Sequence, residues 1–123
     1  MADVNHMTLA GLCNALHGAW CAETALGAWS PYCPNLNQCA VTALAVQDYF
    51  GGELLRCETT DGGSHYWNRL PDGTEVDLTA RQFEHIDKRP LRETVVIRRR
   101  AHVLSFPDTH QRYELLRSRI AGL

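Results

Sequence analysis

The chain contains 123 residues, of which 45% are hydrophobic and 21% charged, and its formal net charge is −2. This length and balance are typical of one domain over residues 1–123, and the small net charge gives no general attraction to nucleic acid or anionic membranes. No apolar run approaches the roughly 20 residues that a membrane span requires. Because residues 1–6 lack a basic segment followed by an apolar stretch, no secretory signal is predicted and we expect a cytoplasmic protein.

The first half of the chain predicts two helices separated by a loop. Leucines at helical spacing predict a helix over residues 8–20, with Asn5 or Thr8 as its cap. Residues 21–37 contain prolines, a glycine and aromatics, which indicates an ordered loop with a short helical turn near residues 22–26. Residues 39–50 are apolar on nearly every side, so this second helix should be buried, and Gly51–Gly52 should end it.

The second half predicts strands followed by a helix. Strand-like runs cover residues 53–59, 64–70 and 74–79, and a short turn or helix follows at residues 81–85. A fourth strand-like run covers residues 93–104, and Asp108 should cap a final helix that runs to about Ile120. Two helices, several antiparallel strands and a last helix make an α+β fold, in which a helix with an N-terminal cysteine packs on a small antiparallel sheet.

The turn at Pro71-Asp72-Gly73 fixes the register of the central hairpin. Proline suits the first central position of a type I turn and glycine suits the left-handed residue that follows, so Leu70 should pair with Thr74. In that register His65 and Asp77 are diagonal neighbours, with backbones about 7–8 Å apart on one face. The predicted core face is Tyr66, Leu70, Val76 and Leu78, and the predicted polar face is His65, Trp67, Arg69 and Asp77.

Cys39, His65 and Asp77 together predict a catalytic triad. Cys39 begins the buried helix, where unpaired amides and the helix dipole stabilise a thiolate. His65 is the predicted base, and Asp77 would fix the orientation of its ring. The side-chain amide of Gln38, with the backbone N–H of Cys39, is the candidate donor to an oxyanion. Trp67 and Asn68, on the strand that carries His65, are the candidate substrate-binding residues.

The sequence also resembles the YunG family of small uncharacterised bacterial proteins. The resemblance is carried by Asn37-Gln38-Cys39-Ala40-Val41, by His65-Tyr66-Trp67-Asn68-Arg69-Leu70-Pro71-Asp72-Gly73, and by Val76-Asp77-Leu78-Thr79 with Gln82-Phe83 after it. The family pattern has glycine before the Gln-Cys pair, where this chain has Asn37. The pattern is in turn similar to papain-like cysteine hydrolases, in which a helix-borne Cys meets a His and an Asp in this chain order. The resemblance therefore implies a papain-like core and thioester chemistry on an amide-type bond, by a peptidase, a deamidase or an acyltransferase.

Two other hypotheses belong to different classes. A structural zinc site could form from Cys13, His17 and Cys21, which recur at four-residue steps, with Cys33 as the fourth ligand. A binding module without catalysis could use the arginine run at residues 98–100. For the hydrolase we expect no cofactor and no bound metal, a small-molecule, peptide or protein substrate, and no nucleic-acid or membrane partner. The five cysteines, an odd number without a CxxC pair, predict that at least some thiols are reduced: Cys13, Cys21, Cys33, Cys39 and Cys57.

Overall fold

The structure is a computed structural model that describes residues 6–123. It confirms an α+β fold with a small antiparallel sheet. None of the helices in this part of the chain is long and apolar enough to cross a membrane. The helices are α1 (Leu9–Ala19), α2 (Cys39–Phe50), α3 (Arg100–Leu104) and α4 (Pro107–Ala121), and the strands are β1 (Glu53–Thr59), β2 (Ser64–Arg69), β3 (Glu75–Val76) and β4 (Pro90–Arg98).

The four strands form one antiparallel sheet in the order β3-β2-β1-β4. The main core lies between this sheet and the helices, and α2 packs against β2 at its centre. Residues 41–46 of α2 are all buried, as the apolar sequence of this helix predicts. The buried side chains that α1, α2 and α4 contribute include Leu12, Leu16, Val41, Leu44, Val46, Tyr113 and Leu116.

Both long N-terminal helices begin and end close to their predicted bounds. The Thr8 hydroxyl caps α1 by accepting a hydrogen bond from the N–H of Gly11 at 2.9 Å, while Asn5 lies outside the described residues. Helix α2 ends at Gly51, and Gly52 has φ of 82°. A Cβ on Gly52 would lie 2.2 Å from the carbonyl oxygen of Arg69, so the chain can pass this close to β2 only with glycine there.

The hairpin register is confirmed. The N–H of Leu70 donates to the carbonyl of Thr74 at 2.8 Å, and Arg69 pairs with Glu75 in the ladder. Strand β3 is shorter than predicted, because Asp77 leaves the ladder and its Oδ1 accepts a hydrogen bond from the N–H of Thr79 at 3.3 Å. Residues 80–84 then form a 3₁₀ turn, close to the predicted short element.

Two boundaries in the C-terminal third differ from prediction. The apolar run over residues 93–104 is not one strand: β4 covers its first part, and α3 follows, with Val103 buried in the main core. The second part, Arg100–Leu104, holds one valine and one leucine, which are too few apolar residues to show a helical repeat, so the sequence does not reveal the change of element. Asp108 does not cap α4, which begins at Pro107. Asp108 lies in its first turn and accepts a hydrogen bond from Nε of Arg112 at 2.8 Å.

The second face of the sheet is also buried at β2, which corrects the prediction of a polar face. Trp67 is 3% exposed and forms a small cluster with Leu55 and Cys57 of β1. His65, next to it on the same face, is 1% exposed. The histidine is therefore held inside the protein, where its ionisation depends on its protein contacts and not on solvent.

Candidate active site

His65 and Asp77 form a short, buried hydrogen bond. Nε2 of His65 lies 2.7 Å from Oδ2 of Asp77, and the side chain of Asp77 is 13% exposed. The second oxygen of the carboxylate accepts from Thr79, and Arg92 donates to Oδ2 at 3.3 Å. Three groups thus fix the carboxylate, and the carboxylate fixes the ring of His65 so that Nδ1 is the nitrogen left for proton exchange.

The thiol of Cys39 lies where α2 begins beside the first residue of β2. Its Sγ is 3.9 Å from the carbonyl oxygen of Ser64, the residue before His65. Cys39 is the first residue of α2, so its N–H belongs to the helix turn whose amides have no intrahelical acceptor. Nδ1 of His65 is buried and makes no hydrogen bond within residues 6–123. The structure therefore brings Cys39, His65 and Asp77 together in the order predicted from the sequence.

The ionisation of Cys39 and that of His65 depend on each other. Burial raises the pKa of the Cys39 thiol, but the interaction with His65 and the backbone N–H of Tyr66 together outweigh burial and bring that pKa below its ordinary value. Burial alone would lower the pKa of His65, whereas its hydrogen bond to Asp77 and its interaction with Cys39 raise it to about 9. Both shifts favour a thiolate beside an imidazolium over a thiol beside a neutral imidazole.

Two further side chains, Phe83 and Trp67, pack on the imidazole ring. Phe83 meets it edge-on with ring centroids 4.7 Å apart, and Trp67 stacks on it at 5.6 Å with an interplanar angle of 17°. The indole N–H of Trp67 donates to Glu75 at 2.7 Å, and the guanidinium of Arg92 lies 4.7 Å from the centre of a Trp67 ring. The ring of His65 is thus fixed by packing as well as by Asp77.

Cys39 and His65 open into a cavity of about 560 Å³. This volume is within the range of small-molecule sites. Phe83 and Gln82 of the 3₁₀ turn line it, together with Ser64 and Tyr66. At its edge stand two exposed apolar side chains, Leu26 at 63% and Phe106 at 51%. Its charged lining residues are Asp61, Lys88 and Arg112.

The other three predicted site residues do not line the cavity: Trp67, Asn68 and Gln38. Trp67 supports His65 from behind, and Asn68 is buried with its Nδ2 donating to the carbonyl of Ala43 in α2 at 2.9 Å. Gln38 is fully buried, and its Nε2 donates to the carbonyl of Cys21 at 3.0 Å. None of the three is among the residues that line the cavity. Their predicted contacts with substrate stay predictions, and in the structure each has a packing or hydrogen-bonding role.

Gln82 lines the cavity, although the sequence predicts no role for it in the site. It is 2% exposed, and its Oε1 accepts a hydrogen bond from the N–H of Asn37 at 3.0 Å. Asn37 has φ of 59° and is the one non-glycine residue with positive φ in the described range. Asparagine is among the non-glycine residues that tolerate this conformation best. The signal for Gln82 was its place in the Gln82-Phe83 pair, but the contact spans 45 residues and spacing does not reveal it.

The predicted zinc ligands do not converge. Helix α1 ends at Ala19, so Cys21 is not on the helical face that carries Cys13 and His17. Nδ1 of His17 lies 2.9 Å from the carbonyl of Cys13 within the same helix. Across residues 6–123 no group of three or more His, Cys, Asp or Glu side chains could hold a metal ion. All five cysteines are free.

Comparison with known proteins places the chain in a family. The sequence profile described as YunG protein matches residues 8–122. The chain belongs to this family. It is also similar to the uncharacterized protein YunG of Bacillus subtilis (strain 168), with 39% identity over 56 residues. That alignment covers 46% of this chain and 47% of the relative, so it spans about half the length of each. No solved structure matches the chain significantly.

Proposed function

We propose that this chain is a cysteine-dependent hydrolase or acyltransferase that acts on an amide-type bond. The observation that carries the proposal is the buried His65–Asp77 hydrogen bond of 2.7 Å, which leaves Nδ1 of the same ring for the Cys39 thiol at a cavity wall. Cys39 has the role of nucleophile, His65 that of general base and acid, and Asp77 orients His65. A helix-borne Cys followed by a strand-borne His and an Asp is similar to the papain-like order, so a papain-like core is part of the proposal.

The first step forms a thioester on Cys39. The thiolate attacks the carbonyl carbon, the carbon–sulfur bond forms, and the carbonyl electron pair moves to the oxygen. The tetrahedral intermediate then collapses, the carbon–nitrogen bond breaks, and the departing amine takes the proton of the His65 imidazolium. The raised pKa of His65, about 9, keeps that proton available at neutral pH.

The second step releases the acyl group. Neutral His65 takes a proton from water or from an acceptor amine, the activated nucleophile attacks the thioester, and the Cys39 thiolate departs. Water gives hydrolysis, which covers peptidases and deamidases, and an amine gives transfer. The cavity of about 560 Å³ has room for a small acyl group or for one side chain of a peptide.

Selective alkylation of Cys39 tests this proposal. Limiting iodoacetamide at neutral pH, followed by mass mapping, should modify Cys39 roughly tenfold faster than Cys13 and Cys21, the other partly exposed thiols. Cys39→Ala should remove the fast phase, and Cys13→Ala is the matched control that should keep it. If Cys39→Ala reacts as fast as the wild type, the proposal is wrong. The same cavity would then belong to the second hypothesis, a binding module without catalysis.

A further inference from the structure

Two buried glutamines flank the nucleophile, and they differ in which amide atom is unpaired. In Gln38 the nitrogen is bound to the carbonyl of Cys21, and Oε1 has no partner within residues 6–123. In Gln82 the oxygen is bound to the N–H of Asn37, and Nε2 has no partner there. Gln38 therefore leaves an acceptor free, and Gln82 leaves a donor.

The orientation of the Gln82 amide is fixed by its neighbour. A flipped amide would turn the NH₂ group toward the Asn37 N–H and place two donors face to face, so the oxygen must point to Asn37. The position of Asn37 is in turn held by its Nδ2, which donates to the carbonyl of Ala28 at 2.7 Å. Gln82 is 2% exposed and lines the cavity that contains Cys39.

A buried N–H without a partner is costly, because a desolvated donor loses its hydrogen bonds to water. Such a group is explained when a ligand supplies the missing acceptor. In the proposed reaction the acceptor that appears next to the Cys39 sulfur is the carbonyl oxygen of the substrate. That oxygen gains full negative charge in the tetrahedral intermediate.

We infer that Gln82 is the side-chain donor to the developing oxyanion, acting with the first-turn N–H of Cys39, in place of Gln38. This inference rests on the proposed thioester chemistry of Cys39. It gives the 3₁₀ turn at residues 80–84 a direct role in the reaction through Gln82, and the same turn supplies Phe83 against His65.

Two probes separate this role from a structural one. Acetylation of Cys39 by p-nitrophenyl acetate passes through an oxyanion, whereas alkylation by iodoacetamide is a displacement at a saturated carbon and forms none. Gln82→Met should slow acetylation about 10-fold or more and change alkylation by less than about 3-fold. Gln38→Met, which loses the free acceptor, should leave the ratio of the two rates unchanged. Both rates are followed by the mass of the Cys39 peptide.

A second variant of Gln82 tests whether the effect of Gln82→Met comes from misfolding. Gln82→Glu keeps an oxygen acceptor for the Asn37 N–H, and its ionised form has no donor, so at a pH above the pKa of the new carboxyl it should also lower the ratio of acetylation to alkylation about 10-fold or more. An unchanged ratio in both Gln82 variants, or a lower ratio in Gln38→Met alone, overturns the inference while Cys39 stays reactive. If wild-type Cys39 reacts selectively with neither probe, the proposed function and this inference fail together.

Discussion

Two sets of cysteine and histidine lie in the part of the chain that the structure describes, and they differ in the partners that each histidine has. Cys13 and His17 lie one turn apart on α1, and His17 contacts a carbonyl of its own helix. Cys39 and His65 come from a helix start and a strand, and Asp77 holds the far nitrogen of His65 at 2.7 Å. The difference teaches that regular spacing brings residues to one face, whereas a reactive group also needs a partner from another element.

Replacing His65 should have the largest effect, which is a slower reaction of Cys39 with iodoacetamide. His65→Ala takes away the group that lowers the pKa of Cys39, and the thiol then returns to a state with only a few per cent thiolate at neutral pH. The iodoacetamide rate of Cys39 should fall roughly tenfold. The matched control His17→Ala should leave the rates of Cys13 and Cys39 unchanged. Equal rates at Cys39 in both variants would contradict a His65-activated thiol.

Removing the charge of Asp77 should have the next largest effect, in the upper part of the pH profile. The carboxylate raises the pKa of His65, so Asp77→Asn should bring that pKa down from about 9 toward the ordinary histidine range. The imidazolium is then lost at lower pH, and amide turnover should decline from a lower pH than in the wild type. Because Arg92 also pairs with Asp77, Arg92→Ala is the control and should move the profile less. An unmoved upper limb in Asp77→Asn would show that Asp77 does not orient a charged His65.

Replacements of Asn37, which has positive φ, should differ in stability according to whether the new residue tolerates that conformation. Asn37→Ala and Asn37→Gly both lose the side-chain bond to Ala28, but only alanine is strained at φ of 59°. The alanine variant should therefore have a free energy of unfolding about 1 kcal/mol lower than the glycine variant, measured by urea denaturation. Asn14→Ala on the exposed face of α1 is the control and should be neutral or slightly stabilising. Equal stability of Asn37→Ala and Asn37→Gly would contradict the backbone argument.

The smallest effect is expected from metal. Because Cys13, His17 and Cys21 do not converge, neither Zn²⁺ nor a chelator should shift the Tm of the protein. Cys13→Ser should behave in the same way with and without Zn²⁺. A Tm that rises with Zn²⁺ in the wild type and not in Cys13→Ser would support the structural zinc site. The set of Cys13 and His17 would then also bind a ligand, which contradicts the difference drawn between the two sets.

Local chemistry in the sequence predicts the part of the fold that positions the site. Helix α2 has its predicted bounds because apolar residues fill every side of it and two glycines end it. The Pro71-Asp72-Gly73 turn sets the hairpin register, and with it the approach of His65 and Asp77, because turn type fixes which residues face each other. These features depend on neighbours in the sequence.

Contacts between distant segments account for what the sequence did not reveal. The face of Trp67 looked polar because its apolar neighbours on the same face, Leu55 and Cys57, come from another strand. Helix α3 lies at the end of a run predicted as one strand, and its Val103 is buried in the core to which α4 contributes. Gln82 lines the cavity, and its hydrogen bond with Asn37 spans 45 residues of sequence. Gln38 donates instead to Cys21 and does not line the cavity.

The pH dependence of Cys39 alkylation tests the central claim most directly. The rate should rise as the thiolate forms at a pH below the ordinary range of a cysteine thiol, and change again near pH 9 when His65 loses its proton. In Asp77→Asn the second step should move to lower pH. A single step at the ordinary cysteine pKa, identical in wild type and Asp77→Asn, would contradict a coupled Cys39–His65–Asp77 site.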